Sequence, residues 1–230
     1  MDFYFVGKLF ILLVAFADFS NADNEYDILL FIQQWPITAC LQHEKNLKEC
    51  YFCNNAFWNI HGIWPTKNYP GKSPENCDLY HPFNERHLLS IKKELSCKWY
   101  NVFDKKIENF WSWEWQKHGT CAMDLPAMNS QYKYFQQGLL WSKHYVIGNI
   151  LMSKNIIKGK SYSYKAIQAA LTSGLKVTPQ VMCHKDKSGK KQFLHEVRIC
   201  IDKKLQLIDC HGHVSETNCN LAIDIEYPSV

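Results

Sequence analysis

Glu114, Lys117 and His118 stand three and four residues apart in the run Phe110-Trp111-Ser112-Trp113-Glu114-Trp115-Gln116-Lys117-His118-Gly119-Thr120-Cys121. On a helix that spacing puts an acid, a cation and an imidazole on one face. A second imidazole, His61, lies earlier in Ile60-His61-Gly62-Ile63-Trp64-Pro65. An unperturbed imidazole titrates near pH 6.5, so one of two can be neutral while the other is charged. With fixed charge beside them, such a pair can break a phosphodiester by moving protons and holding a crowded phosphorus, with no metal. Each stretch alone has a plainer explanation. A strand histidine beside a tryptophan is more often core, and a helix bearing Glu, Lys and His is more often a solvated face.

The elements that must position these residues can be read from pattern. Tyr26 to Trp35 is a compact apolar run stopped by Pro36, suited to a buried strand, and Phe57 to Ile63, ended by Trp64-Pro65, reads as another, with His61 on a central strand. Turn residues crowd positions 66–82, which predicts a long surface loop. Asn84 can cap a helix to about Ser96 with Leu88, Leu89, Ile91 and Leu95 as its buried stripe. The motif helix follows from Lys106 to His118, with Gly119 as its C-terminal stop. A longer helical segment runs from Ser130 to Asn155, and a short one from Ser163 to Leu175. Phe193 to Ile201 and Leu205 to Ile208 then alternate around Asp202-Lys203-Lys204 as a hairpin. Strands, then helices, then strands argue an α+β fold, a central antiparallel sheet with several helices packed on it.

The chain has 230 residues, 47% hydrophobic and 21% charged, which suits one globular domain, and no linker composition divides it. Residues 1–22 read as a signal peptide: an apolar run from Leu9 to Ala17, too short to span a bilayer, precedes small residues at Ser20 and Ala22. The domain is then 23–230. Ten cysteines behind a secretion signal point to disulfides. Cys50 and Cys53 form a C-x-x-C and His211 and His213 flank Cys210, but no matching second half of a zinc site appears, so no metal is expected. The formal charge is +4, and removal of Lys8 with Asp2 and Asp18 leaves a modestly more positive chain. Such a field would assist a polyanion without identifying one. The basic run 184–191 reads as a solvated loop tip.

The two segments together resemble the active-site segments of the ribonuclease T2 family. His61-Gly62-Ile63-Trp64-Pro65 resembles the first and Glu114 to Cys121 most of the second; the similarity extends from Phe31-Ile32-Gln33-Gln34-Trp35-Pro36 to Ile225-Glu226-Tyr227-Pro228-Ser229, and the run from Cys121 to Phe135 is most similar to the animal branch. The resemblance implies a disulfide-stapled domain that cleaves single-stranded RNA through its own 2′-hydroxyl, giving a 2′,3′-cyclic phosphate later opened by water. It implies His118 as general base, His61 as the acid for the leaving oxygen, and Lys117 and Glu114 as stabilisers of the phosphorane. It implies pairs Cys40–Cys50, Cys53–Cys97, Cys77–Cys121, Cys183–Cys219 and Cys200–Cys210. No cofactor is implied, and DNA should be inert because it lacks the 2′-OH.

Trp64 is the first choice as a stacking platform for a base, while Tyr51, Phe57 and Trp58 are better explained by packing. Trp113 stands where the family usually has a phosphate-holding histidine, and is placed with the substrate-binding residues. Thr66 replaces an aspartate found in some members, so base preference does not carry over. No Asn-x-Ser/Thr sequon occurs. A secreted or lysosomal monomer without membrane attachment is expected. The alternative is a weakly active or inactive relative, acting as a signalling or toxin-like binding protein because Trp113 compromises the site.

Overall fold

A computed structural model describes residues 25–43, 46–53, 57–104 and 106–229. The signal peptide read over 1–22 lies outside the described residues. Strand β1 (Ile28–Gln34) is buried along its whole length. It is covered on both faces: Leu29 and Phe31 enter the main core, and Ile28, Leu30 and Ile32 a smaller cluster behind it. A strand buried on both sides is written as a continuous apolar run rather than an alternation. Pro36 then starts α1 (Pro36–Gln42) at its first turn, where the missing N–H costs nothing.

Strand β2 (Asn59–Thr66) pairs antiparallel with β1 and forms the sheet edge, so His61 is on an edge strand rather than a central one. Pro65 explains the difference. It has no N–H to give a ladder, and an edge strand, paired on one side only, lets it stay within the strand, which runs past the expected stop at Ile63.

The segment expected as one helix from Asn84 is broken. Asn84 caps a 3-10 turn over Glu85–Leu88, and α2 spans Lys92–Lys98. Leu88 and Leu95 are buried, but Leu89 points outward. Helix α3 (Ile107–Lys117) carries the motif. The segment from Ser130 divides into α4 (Gln131–His144) and α5 (Ile147–Ser153). The break has a physical anchor: buried Gln33 donates from Nε2 to the Tyr145 carbonyl at 2.7 Å, satisfying a group that a continuous helix would have used itself.

Strand β3 (Lys160–Tyr162) and helix α6 (Tyr164–Leu175) follow. Strands β4 (Gln180–Lys185), β5 (Gln192–Ile201), β6 (Leu207–Ile208) and β7 (Ile225–Tyr227) complete the chain. The sheet order is β2-β1-β5-β7-β3, with β4 and β6 also on β5. All pairings are antiparallel except β5 with β7. Helices pack on the sheet around a tryptophan-rich core that includes Trp99, Trp111 and Trp115. The fold is thus α+β and disulfide-stapled, with bridges Cys40–Cys50, Cys53–Cys97, Cys77–Cys121, Cys183–Cys219 and Cys200–Cys210.

Candidate active site

The ladder between β1 and β2 slips at one point: Ile32 faces Gly62 and Gln33 faces Ile60, leaving His61 as an extra residue. Such a bulge bends a strand and re-aims its side chain. In a regular strand residues three apart point to opposite faces. Here the His61 and Trp64 rings meet edge to face, 5.0 Å between centroids. The His61 carbonyl accepts from Trp99 Nε1 at 2.9 Å, and Tyr134 donates to the Ile63 carbonyl at 2.9 Å. The core aromatics therefore hold the bulge from behind.

Helix α3 delivers the other three residues in its last turn. Glu114 is buried and accepts from Trp64 Nε1 at 3.1 Å. Gly62 makes that bond possible, because a Cβ there would collide with both the indole N–H and the Glu114 carboxylate. His118 closes the helix, donating its backbone N–H to the Glu114 carbonyl at 3.0 Å. Its ring stacks on Trp64, 4.9 Å between centroids. The helix stops before Gly119 as expected, though by no left-handed turn: Gly119 opens a 3-10 turn, and its hydrogen lets the chain pass against the Trp115 ring. Cys77–Cys121 pins this end.

The structure thus gathers His61, Glu114 and His118 around the Trp64 indole, with Lys117 beside them. Lys117 Nζ lies 3.3 Å from Glu75 of the surface loop and 5.5 Å from the centre of the Trp113 ring. Trp113 is 61% exposed, on the lip of the cleft. Trp58 is buried and donates to the Tyr227 hydroxyl, Tyr51 is half-buried and packs edge to face on Tyr100, and Phe57, expected to pack, is exposed. Thr66 turns its hydroxyl back to the Trp64 carbonyl. The Trp64 ring, expected as a base platform, is engaged by His118 and by the Arg198 guanidinium 5.6 Å away.

The two imidazoles are driven apart. Burial, with the charges of Lys117 and His61, pulls His118 down to about 3. The helix macrodipole would favour a charged His118 by about 2 kcal/mol at most. A drop of that size corresponds to on the order of 5 kcal/mol, so burial wins. Burial also pulls on His61, but the hydrogen bond and charge of Glu196, with the charge of Glu114, outweigh it and raise the proton affinity. Burial pushes Glu114 up to about 7 against the pull of His61, the Trp64 N–H and Lys117. One imidazole is set to be neutral and the other charged, with a carboxyl group between that holds its proton in mild acid.

Two residues of β5 escaped the sequence reading. Glu196 Oε1 is 2.7 Å from His61 Nδ1, and Arg198 donates from Nε to Glu196 Oε2 at 2.8 Å. The signal was present: an acid and a base two apart interrupt the apolar strand Phe193–Ile201 and therefore share a face.

Two open cavities meet at the site. One, of about 420 Å³, is lined by Trp113, Glu114, Lys117 and His118; the other, of about 550 Å³, by Gln34, Asn101, Phe103, His184 and His195. His61, Trp64 and Arg198 line both. Among the described residues no cluster of three or more His, Cys, Asp or Glu could hold a metal ion.

A family model described as the ribonuclease T2 family matches residues 26–210. The chain is 38% identical over 213 residues to Ribonuclease Oy of Magallana gigas, a match covering 90% of this chain and 98% of that one. It is 31% identical over 208 residues to Ribonuclease T2 of Homo sapiens, covering 88% and 77% respectively. Ribonuclease MC1 from bitter gourd seeds has the same fold, with a TM-score of 0.76 at 27% identity over 88% of this chain and 100% of that one. The match takes in the strand histidine, the helix triplet and the whole of β5, and with that extent of similarity the chain belongs to the ribonuclease T2 family.

Proposed function

We propose that the protein, as a single domain over 23–230, is an endoribonuclease that cleaves single-stranded RNA without a metal. The observation that carries this is the convergence of His61, His118 and buried Glu114 on the Trp64 indole, in surroundings that drive the two imidazoles' proton affinities apart. Neutral His118 removes the 2′-OH proton as the 2′-oxygen attacks phosphorus. The P–O5′ bond breaks, and His61 gives its proton to O5′. The product is a 2′,3′-cyclic phosphate, opened later by water with the two roles exchanged. Lys117 offers a cation to the phosphorane, and Glu114, protonated in mild acid with one oxygen held by Trp64, offers a hydrogen bond from the other. Widely separated proton affinities of this kind mark an acid and base pair.

Trp113 on the lip leaves these four residues in place, and its ring with Lys117 faces the cavity a substrate phosphate would enter. Similarity to Ribonuclease T2 and Ribonuclease Oy supports RNA as substrate, and a ribonuclease MC1 variant was solved with 5′-GMP. No described helix is long and apolar enough to cross a membrane. A secreted or lysosomal monomer fits the disulfides and the leader sequence.

The test is cyclic-phosphate release from a dinucleotide at pH about 5 in EDTA. His61→Ala and His118→Ala should each abolish it while the protein stays folded. Full activity in either variant would sink the mechanism, and no cleavage by the folded parent would favour a binding protein instead.

A further inference from the structure

Glu196 takes no part in the chemistry above, yet it is the hydrogen-bond partner of the residue assigned to protonate the leaving oxygen. It sits in the middle of the sheet on β5, 3% exposed, where an apolar side chain would pack without penalty. A buried carboxylate costs several kcal/mol unless each oxygen finds a partner. Both do: Oε1 lies 2.7 Å from His61 Nδ1, and Oε2 lies 2.7 Å and 2.8 Å from two Arg198 nitrogens. The oxygens are divided between the two partners, so the arginine fixes the carboxylate and the carboxylate fixes the ring.

We propose that Glu196, anchored by Arg198, is the positioning residue for His61, accepting its Nδ1–H so that Nε2 carries the proton given to the leaving oxygen. This rests on the reading of His61 as the general acid. In the cleavage step the Nε2–H bond breaks and O5′ gains that proton; Glu196 stays a carboxylate throughout, and His61 recovers a proton from the water that opens the cyclic phosphate. The groups facing His61 are Glu196, Arg198 and His195 from β5, and Glu114 and His118 from the end of α3. Burial would push Glu196 up, but the His61 hydrogen bond and charge and the Arg198 charge hold it well below the usual carboxylate range. Glu114 is protonated in mild acid. Glu196 is therefore the facing carboxylate that still carries charge at pH 5, and without Arg198 it would be held there less firmly.

The experiment is an NMR titration of the His61 ring, paired with a pH profile of kcat/KM. In the parent, His61 should titrate above the ordinary value near 6.5. Glu196→Gln keeps an acceptor for Nδ1–H and removes the charge: the His61 titration and the alkaline limb of kcat/KM should both move down by about one pH unit, with KM nearly unchanged. Glu196→Ala, which also frees the ring, should lower kcat by a further ~10²-fold, and Glu196→Asp should restore part of it. Parent His61 titrating at or below 6.5 overturns the proposal without any variant. So does a Glu196→Gln protein whose titration and alkaline limb stay put while only its Tm falls. If the parent cleaves no RNA, the enzymatic reading fails on its own, and the titration still decides whether Glu196 governs His61.

Discussion

Burial gives Glu114 a resting state unlike that of a surface glutamate. Its ordinary value is 4.5 and its folded value about 7, so the folded chain holds this proton more tightly than the unfolded one. Ionising it therefore costs stability from pH 4.5 upward, on the order of 3 kcal/mol once the pH has passed 7. His118 acts in the opposite sense: its neutral form is favoured in the fold, and that contribution is lost as the pH falls from 6.5 toward 3. The two losses overlap between pH 4.5 and 6.5 and offset each other there, so their sum is flat in mild acid and grows on either side. Glu114→Gln keeps an acceptor for Trp64 Nε1, so it should raise Tm relative to the parent at pH 8 and not at pH 4, while kcat falls; an equal loss at both values would mean the carboxyl is not held neutral by burial. At this scale the sequence exposed the four catalytic candidates, because their spacing is local to one strand and one helical turn. It did not expose Glu196, which reaches His61 from a strand 135 positions away along the chain.

Strand β2 depends on a residue with no side chain. Gly62 lies opposite Ile32 at the bulge, and the space where its Cβ would be holds the Trp64 N–H and the Glu114 carboxylate. Gly62→Ala should therefore part that hydrogen bond, at a cost of about 1–3 kcal/mol in denaturant unfolding. Misplacing Glu114 and the indole under His118 should lower kcat by ~10²-fold or more; unchanged activity would show that the Trp64–Glu114 bond does not set the site. The elements themselves were legible where one pattern ran unbroken, the continuous apolar run of β1 or the helical spacing of α3 and α6. They were not legible where a distant side chain interrupted them. Gln33 divides the segment after Ser130 by capturing the Tyr145 carbonyl, and nothing local to that segment announces it. The bulge is equally silent, since one inserted residue leaves the apolar pattern of β2 nearly intact.

Across the whole molecule, the sheet order and the short strands β3 and β7 were beyond the sequence because three-residue strands carry too little pattern to read. The cysteine pairing came from family resemblance, since ten cysteines admit many pairings. What the assembled molecule adds is a shape around the reactive histidine. His61, Trp64 and Arg198 form the shared wall of two cavities, each open to solvent. On the proposed function, a strand lying over this wall would occupy one cavity on each side of the scissile bond, and cleavage would not depend on distance from an end. A covalently closed circle of single-stranded RNA should accordingly be opened as readily as a linear strand of the same sequence, with full-length linear product appearing first on a denaturing gel. Resistance of the circle, or mononucleotides released before any full-length linear form, would mean that only one of the two cavities takes the strand and the protein trims rather than cuts.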